Sequence, residues 1–351
     1  MGNYKVIGLM SGTSLDGLDI AYCHFSEENG VWKYSIADAS TLKYTLEMKA
    51  LLGNASELNG LDLVKLSNEF GEFSGKQVNL FCGENNVKPD FIASHGHTVF
   101  HQPQNKLTLQ IGSGAEIAAQ TGITTICDFR STDIALGGQG APLVPIGDKL
   151  LFGEYDFCLN LGGFANISFD NSGNRVSFDI CPVNIVINEL CQKIGKEFDF
   201  NGDIAKTGNI NEGLLNKLNG LKYYTLSFPK SLGKEWVEEH IRPLLQDQSI
   251  SLQDTMRTFY EHIAIQLKNS TRHLQNKTIF ITGGGAHNAF LIERIKQHTN
   301  HRLILPDEKI IDFKEALVFA FLGVLRYREQ TNCLSSVTGA SKNSIAGAIY
   351  L

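Results

Sequence analysis

Residues 4–25 read YKVIGLMSGTSLDGLDIAYCHF: an apolar run from Tyr4 to Met10, a glycine-rich turn, and a second apolar run from Leu18 to Phe25. The same layout returns at 157–169, FCLNLGGFANISF, where Phe157 to Leu161 and Ile167 to Phe169 flank the glycines and a turn follows at Asn171 to Asn174. Glycine at such places allows positive φ and close backbone approach to a ligand. The two copies lie about 150 residues apart in a chain of 351, which is near half its length. Two similar α/β halves facing each other across a cleft, each contributing a hairpin to one ligand, explain this spacing. Coincidence of two glycine hairpins is the alternative.

Length and composition bound the rest. At roughly 150 residues per domain, 351 residues make two domains, each able to bury a core. Apolar residues form 42% of the chain and charged residues 19%, and the longest uncharged apolar run, Ala316 to Leu325, is short of the roughly 20 residues a membrane span needs. A net charge of −6 with no basic tract argues against nucleic acid as a partner. The seven cysteines are scattered without a C-x-x-C pair, the usage of small buried hydrophobes in a reducing compartment. The opening MGNYKVIGLM lacks the charged region and cleavage site of a signal peptide, and Val6 breaks the myristoylation pattern, so the expected location is the cytoplasm.

Helical periodicity fills the intervals. A capping pattern S-x-x-D from Ser251 opens a segment with Met256, Phe259, Tyr260, Ile263 and Leu267 on one face. A second helix is expected from about Pro182 to a stop at Gly195, and a third from near His287, after the strand Thr278 to Thr282. Strands alternating with helices indicate α/β architecture, with a boundary expected near 130–150.

Several segments carry candidate chemistry. Gly12, Thr13, Ser14, Leu15, Asp16, Gly17, Leu18 and Asp19 combine bare amides, hydroxyls and two carboxylates in one turn, which suits phosphate oxygens with a hydrated magnesium ion beside them. No Gly-Lys-Ser/Thr follows, so this is not a Walker loop, and a plain hairpin is the other reading. Gly162, Gly163 and Asn166 offer a second grip of the same kind. The triple glycine Gly283, Gly284 and Gly285, ending at Asn288, presents bare backbone where ribose or adenine fits, but it fails the G-x-G-x-x-G fingerprint. Asp179, between a strand at 175–178 and the expected helix, is the sharpest candidate for a general base, with helix capping as its alternative. His95, His97 and His101 invite a zinc reading, His95 and His97 alternating onto one side of an extended segment; sugar contact or a structural role reads ahead of it because no further ligand is nearby. Arg130 and Asp133 read as a substrate clamp or an ordinary ion pair, and Glu315 as an exposed helix position or a polar group turned into the cleft.

Taken together, GLMSGTSLDGLD, SHGHTVFH, DFRSTDIALGGQGAPLVP, LNLGGFANIS, FDICPVN, FDFNGDIAKTG, PKSLGKE, TGGGAHN, EALVFAFLG and SVTGA resemble, in order and over essentially the whole chain, the anhydro-N-acetylmuramic acid kinase family, within the superfamily of sugar kinases, heat-shock ATPases and actin. The resemblance implies two ribonuclease H-like α/β domains, 1–135 and 136–331, with 332–351 returning to the first. It implies ATP and magnesium, a small anhydro amino sugar as substrate, and a homodimer. The family opens the internal ether of 1,6-anhydro-N-acetylmuramic acid with water and phosphorylates the freed 6-oxygen, a step in recycling cell-wall sugars. Carried over, Gly12 to Asp19 form the first phosphate segment, with Asp16 toward magnesium. Gly162, Gly163 and Asn166 form the second, Gly283 to Gly285 with Asn288 the adenosine segment, and Asp179 is the base. His95, Arg130, Asp133 and Glu315 fall to the sugar.

The sequence departs from the family pattern after that base. Ile180 and Cys181 stand where Thr and Gly are usual, placing bulkier side chains at the expected helix mouth, and His97 stands where Gln is common. The departure leaves open a related anhydrosugar, or a nucleotide-gated binding protein without catalysis. A metalloenzyme using the three histidines is a third, weaker alternative.

Overall fold

The computed structural model describes residues 2–351, which form two compact units: 2–152 with 313–351, and 153–312. Against the expected division at 135/136 and return at 332, residues 136–152 and 313–331 belong to the first unit. Packing explains the shift. Gly147, in the helix Val144–Leu151, lies so close to Val318 that a Cβ would meet its side chain at 2.7 Å.

The first unit is built on the strands β1 (Asn3–Ser11), β2 (Gly17–Glu28), β3 (Val31–Lys43), β4 (Phe91–Gln102), β5 (Leu107–Ile111) and β6 (Thr125–Cys127). The second carries β7 (Phe157–Leu161), β8 (Phe164–Asn171), β9 (Asn174–Pro182), β10 (Thr278–Thr282) and β11 (Arg302–Ile304), and the chain ends in β12 (Ala348–Tyr350) of the first. Sheet order is β12-β6-β4-β1-β2-β3 in one unit, with β5 beside β4, and β11-β10-β7-β8-β9 in the other. In each, a meander of three antiparallel strands continues into parallel neighbours: β1 pairs β4 and β4 pairs β6, as β7 pairs β10 and β10 pairs β11. With the side strand β5 and the terminal β12 left aside and the rest numbered within each unit, both sheets run 3-2-1-4-5 with strand two reversed, the ribonuclease H-like arrangement. The duplicated hairpin of the sequence is therefore a duplicated fold.

Residue choice follows from layer position. Ile7, Leu9, Ile20 and Ile92 face the helix Gly60–Asn85, which supplies Leu66, Phe70, Val78 and Phe81 from one stripe. The opposite face meets the helix Glu308–Tyr327, where Gly8 and Gly323 leave room for the close approach of Ala316 and Ala93. Residues 316–325 of that helix are apolar all round because they are buried all round. Among the described residues no helix is long and apolar enough to cross a membrane. In the second unit the helix Leu252–Thr271 begins as expected, with the Ser251 hydroxyl accepting from Asp254 N–H at 3.1 Å, and buries Met256, Phe259, Tyr260, Ile263 and Leu267. The helix expected from Pro182 instead runs Asn184–Gln192, because Pro182 ends β9. The third runs Ala289–His298 after a short turn Gly284–His287.

Candidate active site

The first glycine segment closes the β1–β2 hairpin. Leu15 N–H donates to the Gly12 carbonyl at 3.2 Å, and Leu15 itself takes φ +60°, a costly choice for a branched residue. Thr13, Ser14 and Asp16 are exposed on this turn and Gly12 is half-buried. The other members serve the fold: Leu18 lies in the core, Gly17 allows β2 to approach the Leu42 carbonyl of β3, and Asp19 accepts the Thr41 hydroxyl at 2.6 Å. The Asp16 carboxylate makes no hydrogen bond or ion pair with any described residue, which leaves a hard oxygen donor of the kind magnesium takes, together with water and phosphate.

The second segment is the β7–β8 hairpin. The carbonyls of Gly162 and Gly163 accept from the amides of Val183, Asn184 and Ile185, at 3.2 Å for Asn184 and 2.8 Å for Val183, so this turn is bound to the start of the helix Asn184–Gln192. The N-terminal amides of that helix are thus already engaged. Asn166 pairs across β8–β9 with Asp179, and the pairing then slips so that Ala165 opposes Cys181, leaving Ile180 as a bulge. Directly opposed residues in an antiparallel pair emerge on the same face, so the Asn166 and Asp179 side chains are neighbours.

Asp179 is a strand residue and no helix cap; that position belongs to Val183. One carboxylate oxygen accepts the Leu232 N–H at 2.9 Å, its own N–H donates to the Lys230 carbonyl, and Tyr223 donates its hydroxyl to the Asp179 carbonyl at 2.6 Å. Burial raises the Asp179 pKa above the usual carboxylate range, and the Leu232 amide opposes this. The segment around Lys230 thereby orients one oxygen and leaves the other available. Ile180 and Cys181 are 1% and 0% exposed, within the core of the unit. They do not stand at the mouth of the helix, as the sequence led us to expect, because the bulge turns consecutive side chains inward.

The triple-glycine segment separates into two roles. Gly283 takes φ +83°, and a Cβ there would meet Asn160 Oδ1 at 2.6 Å; one at Gly285 would meet Leu161 at 2.7 Å. These two are small so that the turn can pack on β7. Gly284 is open, with Asn184 Nδ2 the nearest atom at 3.7 Å. Asn288 caps the helix Ala289–His298 through Leu291 N–H and donates to Tyr260 and the Asp199 carbonyl, so its amide is spent on the fold.

On β4 the histidines part company. Gly96 has φ +73° and a register slip lies beside it, so the expected alternation fails. His95 packs on Phe319, with ring centroids 4.5 Å apart, while His97 meets Phe70 and the Ser11 hydroxyl on the opposite face of the sheet. His95 and His97 therefore cannot share one metal ion. His95 Nε2 accepts from Arg130 Nε at 3.1 Å and Nη2 at 2.9 Å, and its Nδ1–H donates to the Gly96 carbonyl. Burial, and then Arg130, push the His95 pKa well below that of free imidazole. Arg130 also donates to the Gly140 carbonyl at 2.7 Å, and Glu315 is its acidic neighbour. Glu315 stays open to water yet is ringed by protein; desolvation raises its carboxyl, with Arg130 and Lys314 opposing.

Asp133 forms neither a clamp nor an ion pair with Arg130. It is fully buried, and its oxygens accept from Gly140 N–H at 2.8 Å, the Thr338 hydroxyl at 2.7 Å and the Cys333 thiol at 3.1 Å, tying the 133–140 loop to the C-terminal segment. Sequence reasoning missed the Leu232 amide and Tyr223. A backbone donor has no side-chain signature, and the PKSLGKE motif named the segment without its role.

Two ribonuclease H-like units, each with a glycine turn between its first two strands, define the fold class of the chain. A family model described as anhydro-N-acetylmuramic acid kinase matches residues 4–351, and the chain belongs to that family. It is 31% identical over 370 residues to the anhydro-N-acetylmuramic acid kinase of a Sulfurovum species, covering 100% of each chain, and 36% identical over 366 residues to that of Shewanella denitrificans, covering 98% and 97%. Among solved structures it is similar to an activator of 2-hydroxyisocaproyl-CoA dehydratase from Clostridium difficile with bound ADPNP (TM-score 0.45, 14% identity, 93% and 97% covered). It is also similar to a ROK family glucokinase from Streptomyces griseus with glucose and AMPPNP (TM-score 0.39, 9% identity, 90% and 97% covered). At that level of likeness no residue role carries over.

Proposed function

We propose that this kinase uses ATP and water to open the 1,6-anhydro ring of 1,6-anhydro-N-acetylmuramic acid and phosphorylates the freed 6-oxygen, giving N-acetylmuramic acid 6-phosphate and ADP in cell-wall sugar recycling. The observation that carries it is Asp179, held beside the second glycine turn with one oxygen pinned by Leu232 and the other available. That oxygen takes a proton from the water attacking the anomeric carbon. The bond from that carbon to the 6-oxygen breaks, the 6-oxygen bonds to the γ-phosphorus, and ADP departs. Gly12, Thr13 and Ser14 on one turn and Gly162, Gly163 and Asn166 on the other orient the phosphates, with Gly284 against the adenosine. Arg130, held by His95, and Glu315 face the sugar. Asp16 would hold magnesium through water, and the ion when bound offsets the charge of the β- and γ-phosphates.

The protein acts in the cytoplasm as a homodimer on small molecules, without nucleic acid or membrane as partner. No disulfide joins its seven cysteines, which suits a reducing compartment, and its net charge is −6. The departure at Ile180 and Cys181 lies in the core and gives no support to a catalytically silent protein. The test is incubation of the purified protein with ATP, magnesium and the anhydrosugar, followed by mass spectrometry of the sugar and of ADP. Sugar phosphate carrying one added water supports the assignment. ADP without sugar phosphate, or no turnover, overturns it.

A further inference from the structure

A chain of buried hydroxyls lies under the first glycine turn. Tyr44 donates its hydroxyl to Ser11 Oγ at 2.7 Å, and Ser11 Oγ lies 2.9 Å from His97 Nδ1. Ser11 is 1% exposed, so its own proton needs an acceptor, and among the described residues His97 Nδ1 is the one that reaches it, which places the imidazole proton on Nε2. Burial lowers the His97 pKa, so the ring stays neutral near pH 7.

His97 also lines a recess of the first unit beside the same turn. Leu15, Leu52 and Val99 form apolar walls, Thr13 and Ser56 add hydroxyls, and no lysine, arginine or carboxylate lines it. The tautomer set by Ser11 leaves Nε2–H as the ring's remaining donor, and no described residue accepts from it.

We infer that this recess receives the 2-acetamido group of the amino sugar, with His97 Nε2–H donating to its carbonyl oxygen and the apolar walls covering its methyl. The inference rests on the proposed function and adds the substituent the site selects. Chemistry decides among the sugar's groups. A carboxylate side arm calls for a cation, which the recess lacks, and a ring hydroxyl has no use for apolar walls. An amide carbonyl carrying a methyl matches both features. His97 is on this account a specificity residue that takes no part in proton transfer.

The test compares two substrates: 1,6-anhydro-N-acetylmuramic acid, and the analogue with a hydroxyl in place of the acetamido group. For the acetamido sugar, His97→Ala is expected to raise KM about tenfold, the worth of one hydrogen bond to a desolvated group, with little change in kcat. For the hydroxyl analogue the same variant should change KM less than twofold. His97→Gln keeps an acceptor for Ser11 and an N–H donor, so it should restore KM for the acetamido sugar to within about threefold of the original. It also carries the test if the alanine variant does not fold, and melting curves accompany both variants. Equal losses on the two sugars, or no rescue by glutamine, overturn the inference while leaving the proposed function intact. An unsubstituted enzyme that phosphorylates neither sugar overturns both.

Discussion

Asn166 and Asp179 face each other across the β8–β9 pairing, immediately before the register slips at Ile180. The bulge ends regular pairing, sends Ile180 and Cys181 into the core, and leaves Asp179 as the last carboxylate on the open face of the strand. A carboxylate at this place is held by a sheet on one side and by the Leu232 amide on the other.

Replacing that carboxylate should remove proton transfer and little else. Asp179→Asn is expected to lower kcat by about a hundredfold or more, in the range measured for general bases, with nucleotide affinity nearly intact. Because burial raises the Asp179 pKa, the acid limb of kcat/KM should lie above the ordinary aspartate range, activity falling as pH drops through it. A limb at the free-aspartate value, or unchanged turnover in the variant, would move the base elsewhere.

The pairing of His95 with Arg130 requires a neutral imidazole, since a protonated ring would set two cations face to face. Nitrogen NMR of the His95 ring should show no titration where free imidazole titrates, because burial and then Arg130 push its pKa well below that value. His95→Ala should free two of the guanidinium donors and lower kcat/KM for the sugar at least about tenfold, through misplacement of Arg130. A ring that titrates near pH 6.5 would contradict the assigned tautomer.

The triple glycine separates packing from binding. Gly283→Ala places a Cβ against Asn160 at φ +83° and should cost about 2 kcal/mol or more, seen as a lower melting temperature. Gly284→Ala has space and should melt like the parent, yet raise KM for ATP about tenfold if adenosine lies against that backbone. An unchanged KM would place the nucleotide elsewhere.

Away from the site, Glu261 anchors a cluster. Burial works to raise its pKa, but hydrogen bonds from Arg294, Arg257 and His298 outweigh this and hold it at about 2. A folded-state value below the unfolded one means stability that is present above the unfolded pKa and lost as pH falls through the folded one. The shift from 4.5 to about 2 corresponds to about 3 kcal/mol. Glu261→Gln should therefore lower stability by about that much at pH 7, and the gap between variant and parent in denaturant melts should narrow from pH 4.5 downward. A gap independent of pH would assign the loss to packing.

Local pattern carried much of this molecule. The hairpins at 4–25 and 157–169, the Ser251 cap and the apolar stripe after it depend on neighbours a few positions away, so strand period, helix period and turn chemistry reveal them in one chain. The boundary was less legible, because residues 136–152 join the first unit through contacts such as Gly147 with Val318, far apart in sequence. Among the candidate site residues, Asp179 and the open glycines were visible as types in context. The partners of His95 and Asp133 were not.

What the sequence determined by itself was the duplicated α/β hairpin and the kinase family, since each is written in residue type and order. Tertiary structure alone decided which way those residues point. Gly96 at φ +73° sends His95 and His97 to opposite faces of one sheet, and the Ile180 bulge turns the family departure inward. Contacts with Gly140, Thr338 and Cys333 turn Asp133 from a candidate clamp into a buried staple. The physical reason is common to all three: a side chain's direction follows from backbone dihedrals and strand register, and its partners come from distant segments, 205 positions away for Thr338 and Asp133.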